Sequence, residues 1–260
     1  MCRIKKDMMK KFKHQLEQAL VFLLPQPIYR GLGFIYEAMR QKKSFNQYGE
    51  DLIVKQYFDS LGLMNGTYVD IGAYHPIGIS NTHLLHKSGW TGYAVDIDKY
   101  KLFAFRLLRR GKCKVIFGAV TNEKTNGTKK TNVYKFNRLW SEIDTLSLDT
   151  ARKVALLRNF NFSKLEVPML NVVKLFNDIG PVDLINIDIE GLDELVLLSI
   201  NLEAIRPKVI IFEDNNFFGG SSKIQAYLKN IITSYYSKVQ ARLATIKKKI
   251  SIFSMYLLAI

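Results

Sequence analysis

Short apolar runs alternate along the chain with longer segments in which apolar residues recur at helical spacing. The runs are rich in β-branched and aromatic residues, as is typical of buried strands. They are Thr67–Ile71, Tyr93–Ile97, Lys114–Phe117, Val182–Ile187 and Lys208–Phe212. The predicted helices are Ser44–Leu61, Ser80–Ser88, Lys99–Arg110, Leu148–Arg158, Leu170–Asn177 and Leu192–Ile200. This alternation predicts an α/β fold around a doubly wound, mostly parallel sheet.

Both ends of the chain extend this pattern. Residues 1–43 predict a helical extension, in which the apolar run Ala19–Leu24 is too short to span a bilayer. An amphipathic helix there could lie on a membrane or on the protein itself, and both options stay open. At the other end, Ile224–Tyr235 predicts a helix, and Lys238–Thr245 and Ile250–Leu258 predict closing antiparallel strands. We therefore expect an extension at 1–43 and one domain at 44–260.

Within the predicted helix Lys99–Arg110, the lysines and arginines alternate with apolar residues. We interpret them as a solvated face opposite Leu102, Phe103, Phe105 and Leu107. The polar segment Thr121–Lys135 predicts a hairpin or turn around Asn126-Gly127. The segment 137–165 is the least regular part, and we expect it to form a lid over the acceptor.

Carboxylates stand at the ends of the predicted strands. Asp70 is followed by Gly72, which lets a ligand approach the backbone, and Asp96 ends the next strand, where an acid can bind a ribose diol. The turn from Gly72 to Gly78 lacks the G-x-G-x-x-G spacing of dinucleotide sites, and the chain has no Walker-type phosphate loop. S-adenosylmethionine, which has adenosine but no phosphate, suits such a turn.

Five short motifs occur in order between Ser44 and Tyr227. They are Ser44–Asp51, Tyr68–Pro76, Ser80–Leu85, Gly89-Trp90 and Ile187–Gly191. Together they resemble the FkbM-type S-adenosylmethionine-dependent methyltransferases. The resemblance implies a Rossmann-like class I methyltransferase fold. It also implies O-methylation, often of sugars in cell-surface glycans or in glycosylated natural products.

These observations define the expected site. For the base that activates the acceptor hydroxyl we favour Asp188, with His75 and Glu190 as alternatives. The predicted acceptor contacts are Asn81, Trp140 and Glu213, with Trp140 as an open aromatic platform on which a sugar can stack. The resemblance places the adenine ring near Gly118–Val120. The full set of expected cofactor contacts is Asp70, Gly72, Ala73, Tyr74, Asp96, Ile97, Gly118, Ala119, Val120 and Asp188.

The formal net charge of +15 is concentrated at the two ends. Residues 1–43 hold ten basic and three acidic side chains, residues 221–260 hold seven basic and none acidic, and the remainder is nearly neutral. A nucleic-acid enzyme more often has its basic surface around the cleft. Basic ends instead favour peripheral contact with an anionic membrane or an acidic partner, with solvated tails as the alternative.

Composition adds little that restricts the function further. Two cysteines suit a reducing compartment, and we expect a cytoplasmic enzyme, in contact with the inner membrane surface if the basic ends bind lipid. No His and Cys spacing predicts a metal site. The alternatives are a nicotinamide-dependent oxidoreductase on the same scaffold, a nucleic-acid methyltransferase, and a binding module without enzymatic activity.

Overall fold

In a computed structural model of the chain, the residues that can be described contain nine strands, which form two sheets. The structure describes residues 15–39, 44–46, 49–123, 129–189, 191–212 and 227, and the backbone of residues 213 and 253–257. The strands are β1 (Thr67–Ile71), β2 (Thr91–Asp96), β3 (Cys113–Phe117), β4 (Ala119–Thr121), β5 (Lys130–Phe136), β6 (Phe162–Asn171), β7 (Leu184–Ile187), β8 (Val209–Glu213) and β9 (Phe253–Leu257). The larger sheet has the order β3-β2-β1-β7-β8-β9, and the smaller has the order β4-β6-β5.

Helices accompany the strands of the larger sheet. They are α1 (Gln26–Met39), α2 (Glu50–Ser60), α3 (His83–Lys87), α4 (Lys99–Leu108), α5 (Leu148–Arg158), α6 (Val172–Ile179), α7 (Asp193–Leu198) and α8 (Leu202–Ile205). Residues 15–23 are also helical. Among the residues that the structure describes, no helix is both long enough and apolar enough to cross a membrane.

The larger sheet confirms the predicted fold class. Its neighbouring strands are parallel except for β8 and β9, which are antiparallel. The side chains of β1, β7 and β8 enter apolar clusters on both faces, which explains the unbroken apolar runs in the sequence. The predicted strand Ile250–Leu258 corresponds to β9. The predicted strand Lys238–Thr245 and all of the predicted helix Ile224–Tyr235 except Tyr227 lie outside the described residues.

The smaller sheet was not predicted. Strands β5 and β6 pair antiparallel from Lys130 opposite Pro168 to Phe136 opposite Phe162, and β4 joins β6 in parallel. The segment 137–165, expected to be irregular, therefore holds α5 and the first part of β6. Much of β6 is exposed and polar, and it contains Pro168. The strand therefore shows no regular alternation of apolar and polar positions in the sequence.

The predicted helices Ser80–Ser88, Leu170–Asn177 and Leu192–Ile200 correspond to α3, α6 and α7 with different bounds, and two other predicted helices differ in their packing. Helix α2 begins at Glu50, not Ser44, because Ser44 and Phe45 instead hydrogen-bond to the carboxylate of Asp51. In α4 the predicted faces are partly wrong. Phe103 and Leu107 are exposed, whereas Lys101 is buried, and so is Arg109, which caps the end of the helix.

Candidate active site

A cavity of about 210 Å³ opens at the carboxyl ends of β1, β2 and β7. Parallel strands bring their carboxyl ends to one edge of a sheet, so residues distant in sequence meet there. Most of the predicted site residues line this cavity. They are Asp70, Gly72, Tyr74, His75, Asn81, Asp96, Ile97, Gly118, Ala119, Val120 and Asp188.

Gly72 allows the loops after β1 and β7 to approach each other closely. Its φ is +81°, and a Cβ built on it would lie 1.8 Å from the carbonyl oxygen of Asp188. The backbone N–H of Asp188 donates to the carbonyl oxygen of Ile71 at 2.9 Å. The neighbouring Ala73 is buried beside this turn and donates its N–H to Val95, but it does not line the cavity. Any side chain at position 72 would separate the two loops.

Asp70 is buried, and both of its oxygens are hydrogen-bonded. Thr82 donates its hydroxyl to Oδ2 at 2.6 Å, and Asn186 donates its amide to Oδ1 at 2.8 Å. Asn186 is the register partner of Asp70 in the β1–β7 pair, so their side chains lie on the same face of the sheet. Burial raises the pKa of Asp70, and these donors together with the charge of Arg109 oppose that shift. Asp70 therefore serves to fix its neighbours.

The loop between β1 and α3 is held by a buried arginine. The Arg109 guanidinium donates to the carbonyl oxygen of Pro76, at 2.7 Å from Nη2, and to the hydroxyls of Ser80 and Thr82. It also donates to the Tyr68 hydroxyl at 3.1 Å. Because Arg109 contacts the loop at several points, it fixes the wall of the cavity that follows Gly72.

Asp96 ends β2 on the cavity wall. Its Oδ1 accepts the backbone N–H of Asp98 at 2.7 Å, and its Oδ2 lies 3.7 Å from the ammonium of Lys101. Burial raises the pKa of Asp96 to about 6, an effect opposed by the charge of Lys101. The carboxylate is thus ionised at neutral pH. Because 3.7 Å exceeds a hydrogen-bond distance, Oδ2 retains capacity to accept a hydroxyl.

His75 lines the cavity, but both of its ring nitrogens are engaged. Nδ1 accepts the backbone N–H groups of Ile77 and Gly78, at 3.0 and 2.8 Å, and Nε2 therefore donates to the carbonyl oxygen of Phe34 at 3.2 Å. Burial lowers the pKa of His75 to about 4. This bonding leaves neither nitrogen available to accept a proton from a substrate, so His75 acts as a structural brace of the loop.

Asp188 follows β7 and is half-buried on the cavity wall. The turn after it is held by Asp193, whose carboxylate accepts the backbone N–H groups of Ile189 and Gly191, each at 3.2 Å. Burial raises the pKa of Asp193 to about 6. Glu190, the third predicted base, lies outside the described residues. Of the two candidates that the structure describes, the geometry favours Asp188.

The predicted acceptor contacts have different positions. Asn81 lines the cavity, where its amide donates to the Asn186 side chain at 2.8 Å and its oxygen accepts from Asn46. Trp140 does not line it. Only 5% of Trp140 is exposed, and its indole N–H donates to the carbonyl oxygen of Tyr74 at 3.0 Å. The expectation of an open aromatic platform is therefore wrong. Glu213 ends β8, and its side chain lies outside what the structure describes.

The smaller sheet supplies the remaining wall. Gly118, Ala119 and Val120 lead into β4, and a Cβ on Gly118 would lie 2.8 Å from the carbonyl oxygen of Pro168 in β6. Together with Ile97 these residues give the cavity an apolar part of its wall. This is the side at which the adenine ring was expected.

Several lining residues were not predicted. They are Asn46, Lys101, Glu142, Asp144 and Asn186. Asn186 had a signal, since it is the one polar residue in the apolar strand Leu184–Ile187. Asp144 is held by the hydroxyl of Ser141 at 2.5 Å and the N–H of Phe136 at 3.0 Å, two partners that no sequence spacing indicated.

A second charged cluster lies beside the cavity. Asp98, which caps α4, forms ion pairs with Arg30 of α1 and with Lys135 of β5, whose Nζ is 2.7 Å away. The Arg30 guanidinium lies over the Trp140 ring at 5.2 Å. Burial lowers the pKa of Lys135 to about 8. The cluster joins α1 and the smaller sheet to the larger one. Within the described residues, no three His, Cys, Asp or Glu side chains group as a metal site.

Three comparisons with known proteins show what the chain is similar to. The sequence model of the methyltransferase FkbM domain matches residues 70–236. Among solved structures, an O-methyltransferase from Bacillus cereus in complex with SAH matches with 13% sequence identity and a TM-score of 0.37, covering 85% of this chain and 86% of that one. A comparison with curated proteins found no match.

Proposed function

The chain belongs to the FkbM methyltransferase family, and from that premise we propose that it methylates a hydroxyl group of a sugar, in a surface glycan or a glycosylated metabolite. The methyl donor is S-adenosylmethionine, which supplies an activated methyl group when bound. The observation that supports an O-methyltransferase best is the meeting of Asp96, Gly72 and Asp188 around one cavity.

The residues of the cavity fit this cofactor. Asp96 offers a carboxylate oxygen to the ribose hydroxyls, and Ile97 and Val120 form an apolar wall suited to the adenine ring. The absence of a side chain at Gly72 keeps the β1 and β7 loops close and lets the cofactor approach the backbone. Tyr74 and His75 occupy the turn where a dinucleotide would need glycines, so the turn suits a ligand without phosphate.

Asp188 is the residue that we assign as the base for the acceptor hydroxyl. A sugar hydroxyl has a high pKa, so a carboxylate that accepts its proton as the oxygen attacks assists the reaction. The backbone of Asp188 is anchored to β1 through the Ile71 carbonyl, and the turn after it is anchored by Asp193. Such fixed placement matters because orientation of the two reactants supplies much of the rate of a transfer reaction.

A polar acceptor agrees with the remaining lining. Asn46 and Asn81 on one side, and Glu142 and Asp144 on the other, present amide and carboxylate groups that can hydrogen-bond to several hydroxyls. Acidic and amide side chains suit a neutral sugar better than a polynucleotide, whose phosphates would require basic groups.

Two measurements test the proposal. Calorimetry of the purified chain with S-adenosylhomocysteine should detect binding, with NAD and NADP as controls that do not bind. Transfer of radiolabelled methyl groups should then occur to sugars and glycosylated metabolites, and not to RNA or DNA. Binding of NAD in place of S-adenosylhomocysteine, or transfer to nucleic acid alone, would contradict the proposed function.

A further inference from the structure

Helix α1 exposes an apolar stripe. Ile28, Leu32, Ile35 and Met39 are spaced four, three and four residues apart, so they lie along one side of the helix. Between 42% and 77% of each of these residues is exposed. We call these four residues the α1 apolar face.

The charged residues of α1 point the other way. The helix contains two charged side chains, Arg30 and Glu37, of which 2% and 6% are exposed. A helix that faces water normally buries its apolar residues and exposes its charged ones. Here the arrangement is reversed, because Arg30 pairs with Asp98 inside the protein. A row of exposed apolar residues marks a contact surface.

The preceding helical residues, 15–23, also expose apolar side chains. Phe22 and Leu23 are exposed by 88% and 72%, and Leu16 by 50%. Charge in the sequence flanks these apolar positions on both sides. Four lysines or arginines occupy positions 5, 6, 10 and 11, and Arg40, Lys42 and Lys43 follow α1 directly. Residues 1–43 contain ten basic and three acidic side chains.

We propose that the α1 apolar face inserts into the headgroup region of an anionic bilayer, with the flanking basic residues bound to acidic lipids. An apolar helix face bordered by lysine and arginine is the pattern that binds such surfaces, and neither feature alone anchors a protein stably. The 14-residue length of α1 is consistent with a helix that lies on the membrane and does not cross it.

Binding of α1 to a membrane would place the cavity close to the lipid surface. The carbonyl oxygen of Phe34 accepts from His75, which lines the cavity, and Arg30 contacts the ring of Trp140 behind it. The inner side of α1 thus braces the cavity wall while its outer side faces the lipid. One helix diameter, about 10 Å, separates the two.

The test is co-sedimentation of the full chain with vesicles. The vesicles contain phosphatidylcholine either alone or mixed with phosphatidylglycerol. The variant combines Ile28→Gln, Leu32→Gln and Ile35→Gln, since glutamine keeps helix propensity. The matched control combines Leu156→Gln and Leu157→Gln on α5, whose two side chains expose about as much apolar surface as the other three. Calorimetry with S-adenosylhomocysteine checks the fold of every protein and does not depend on the vesicles.

We expect the wild type and the α5 control to bind phosphatidylglycerol vesicles. The α1 variant should bind them at least about tenfold more weakly. Added salt should weaken the wild-type binding. Equal binding by the α1 variant, an equal loss in the α5 control, or equal binding to phosphatidylcholine alone overturns the proposal. So does a wild type that binds no vesicles. If light scattering then shows a dimer that the α1 variant dissociates, the face binds a second copy of the chain.

Discussion

Replacing Asp96 with asparagine should weaken cofactor binding by removing a single charge. Asparagine preserves the size of the side chain and can still accept the N–H of Asp98 through its oxygen. The amide nitrogen that replaces Oδ2 can no longer accept a hydrogen bond from a ribose hydroxyl. A hydrogen bond to a charged group contributes about 1.5–3 kcal/mol, so the affinity should fall by about 10- to 150-fold.

The same carboxylate should make binding pH-dependent. Burial raises the pKa of Asp96 to about 6. As the pH falls through that value, the free protein takes up a proton on Asp96, and binding must then release it. Affinity should therefore be greatest above about pH 7 and fall by up to tenfold for each unit below about pH 6. The affinity falls with acid because the ligand binds the ionised form of Asp96.

Calorimetry with S-adenosylhomocysteine from about pH 5 to about pH 8 measures both effects. The wild-type affinity should decline with acid, and the Asp96→Asn affinity should be low and nearly constant. The control is Asp178→Asn, which removes an exposed carboxylate paired with Lys174 on α6. Comparison of the proteins at each pH removes any titration that they share, including that of Asp193. Equal affinity in wild type and Asp96→Asn would refute the assignment of Asp96 to the ribose.

Three further predictions concern the loops around the cavity. Gly72→Ala should destabilise the fold by about 3 kcal/mol or more and abolish cofactor binding, because its Cβ would meet the Asp188 carbonyl. Urea titration measures this loss of stability. The control is Gly62→Ala, which should cost only about 1 kcal/mol, because Gly62 has a φ of +68° but open space around it. Asp188→Asn should lower kcat by about 10²- to 10⁴-fold with S-adenosylhomocysteine affinity nearly unchanged, and an unchanged kcat would exclude it as the base. Burial raises the pKa of Asp193 from 3.8 to about 6, so the folded state takes up its proton first. The wild type should therefore lose up to about 3 kcal/mol relative to Asp193→Asn as the pH rises from about 4 to about 6, and parallel stability profiles would contradict this.

The sequence predicted the parts of the fold that are encoded locally. Strands β1 and β7 are short, apolar and buried on both faces, so their composition alone identified them. Helix α5 was predicted with its observed bounds, because Ser147 caps it and its side chain accepts the N–H of Thr150. The acids at the strand ends were found because a parallel sheet converts their sequence position into a shared spatial position.

What the sequence did not reveal depends on partners far away along the chain. Arg109 was interpreted as part of a solvated face. It is instead buried, because Pro76, Ser80 and Thr82 accept hydrogen bonds from its guanidinium. Trp140 was expected to be an open platform, and it is instead enclosed by α1 and the turn at Tyr74. Neither environment follows from local periodicity, since each depends on which distant loop packs against the residue.

Four acids of this site divide into two roles according to what their carboxylate oxygens contact. Asp70 and Asp193 are buried and use both carboxylate oxygens to hold loops, through Thr82 and Asn186 in one case and through backbone N–H groups in the other. Their loss should therefore appear first in stability.

Asp96 and Asp188 are the two acids to which we assign contacts with the cofactor and the acceptor. Both line the cavity, and Asp96 has one oxygen that is not within hydrogen-bond distance of Lys101. Loss of Asp96 should alter cofactor affinity, and loss of Asp188 should alter turnover. A methyltransferase needs both kinds of acid, because a carboxylate assists a transfer only if the loop that bears it keeps its position while the substrate binds. Asp70 and Asp193 supply that rigidity, and Asp96 and Asp188 supply the contacts with cofactor and acceptor.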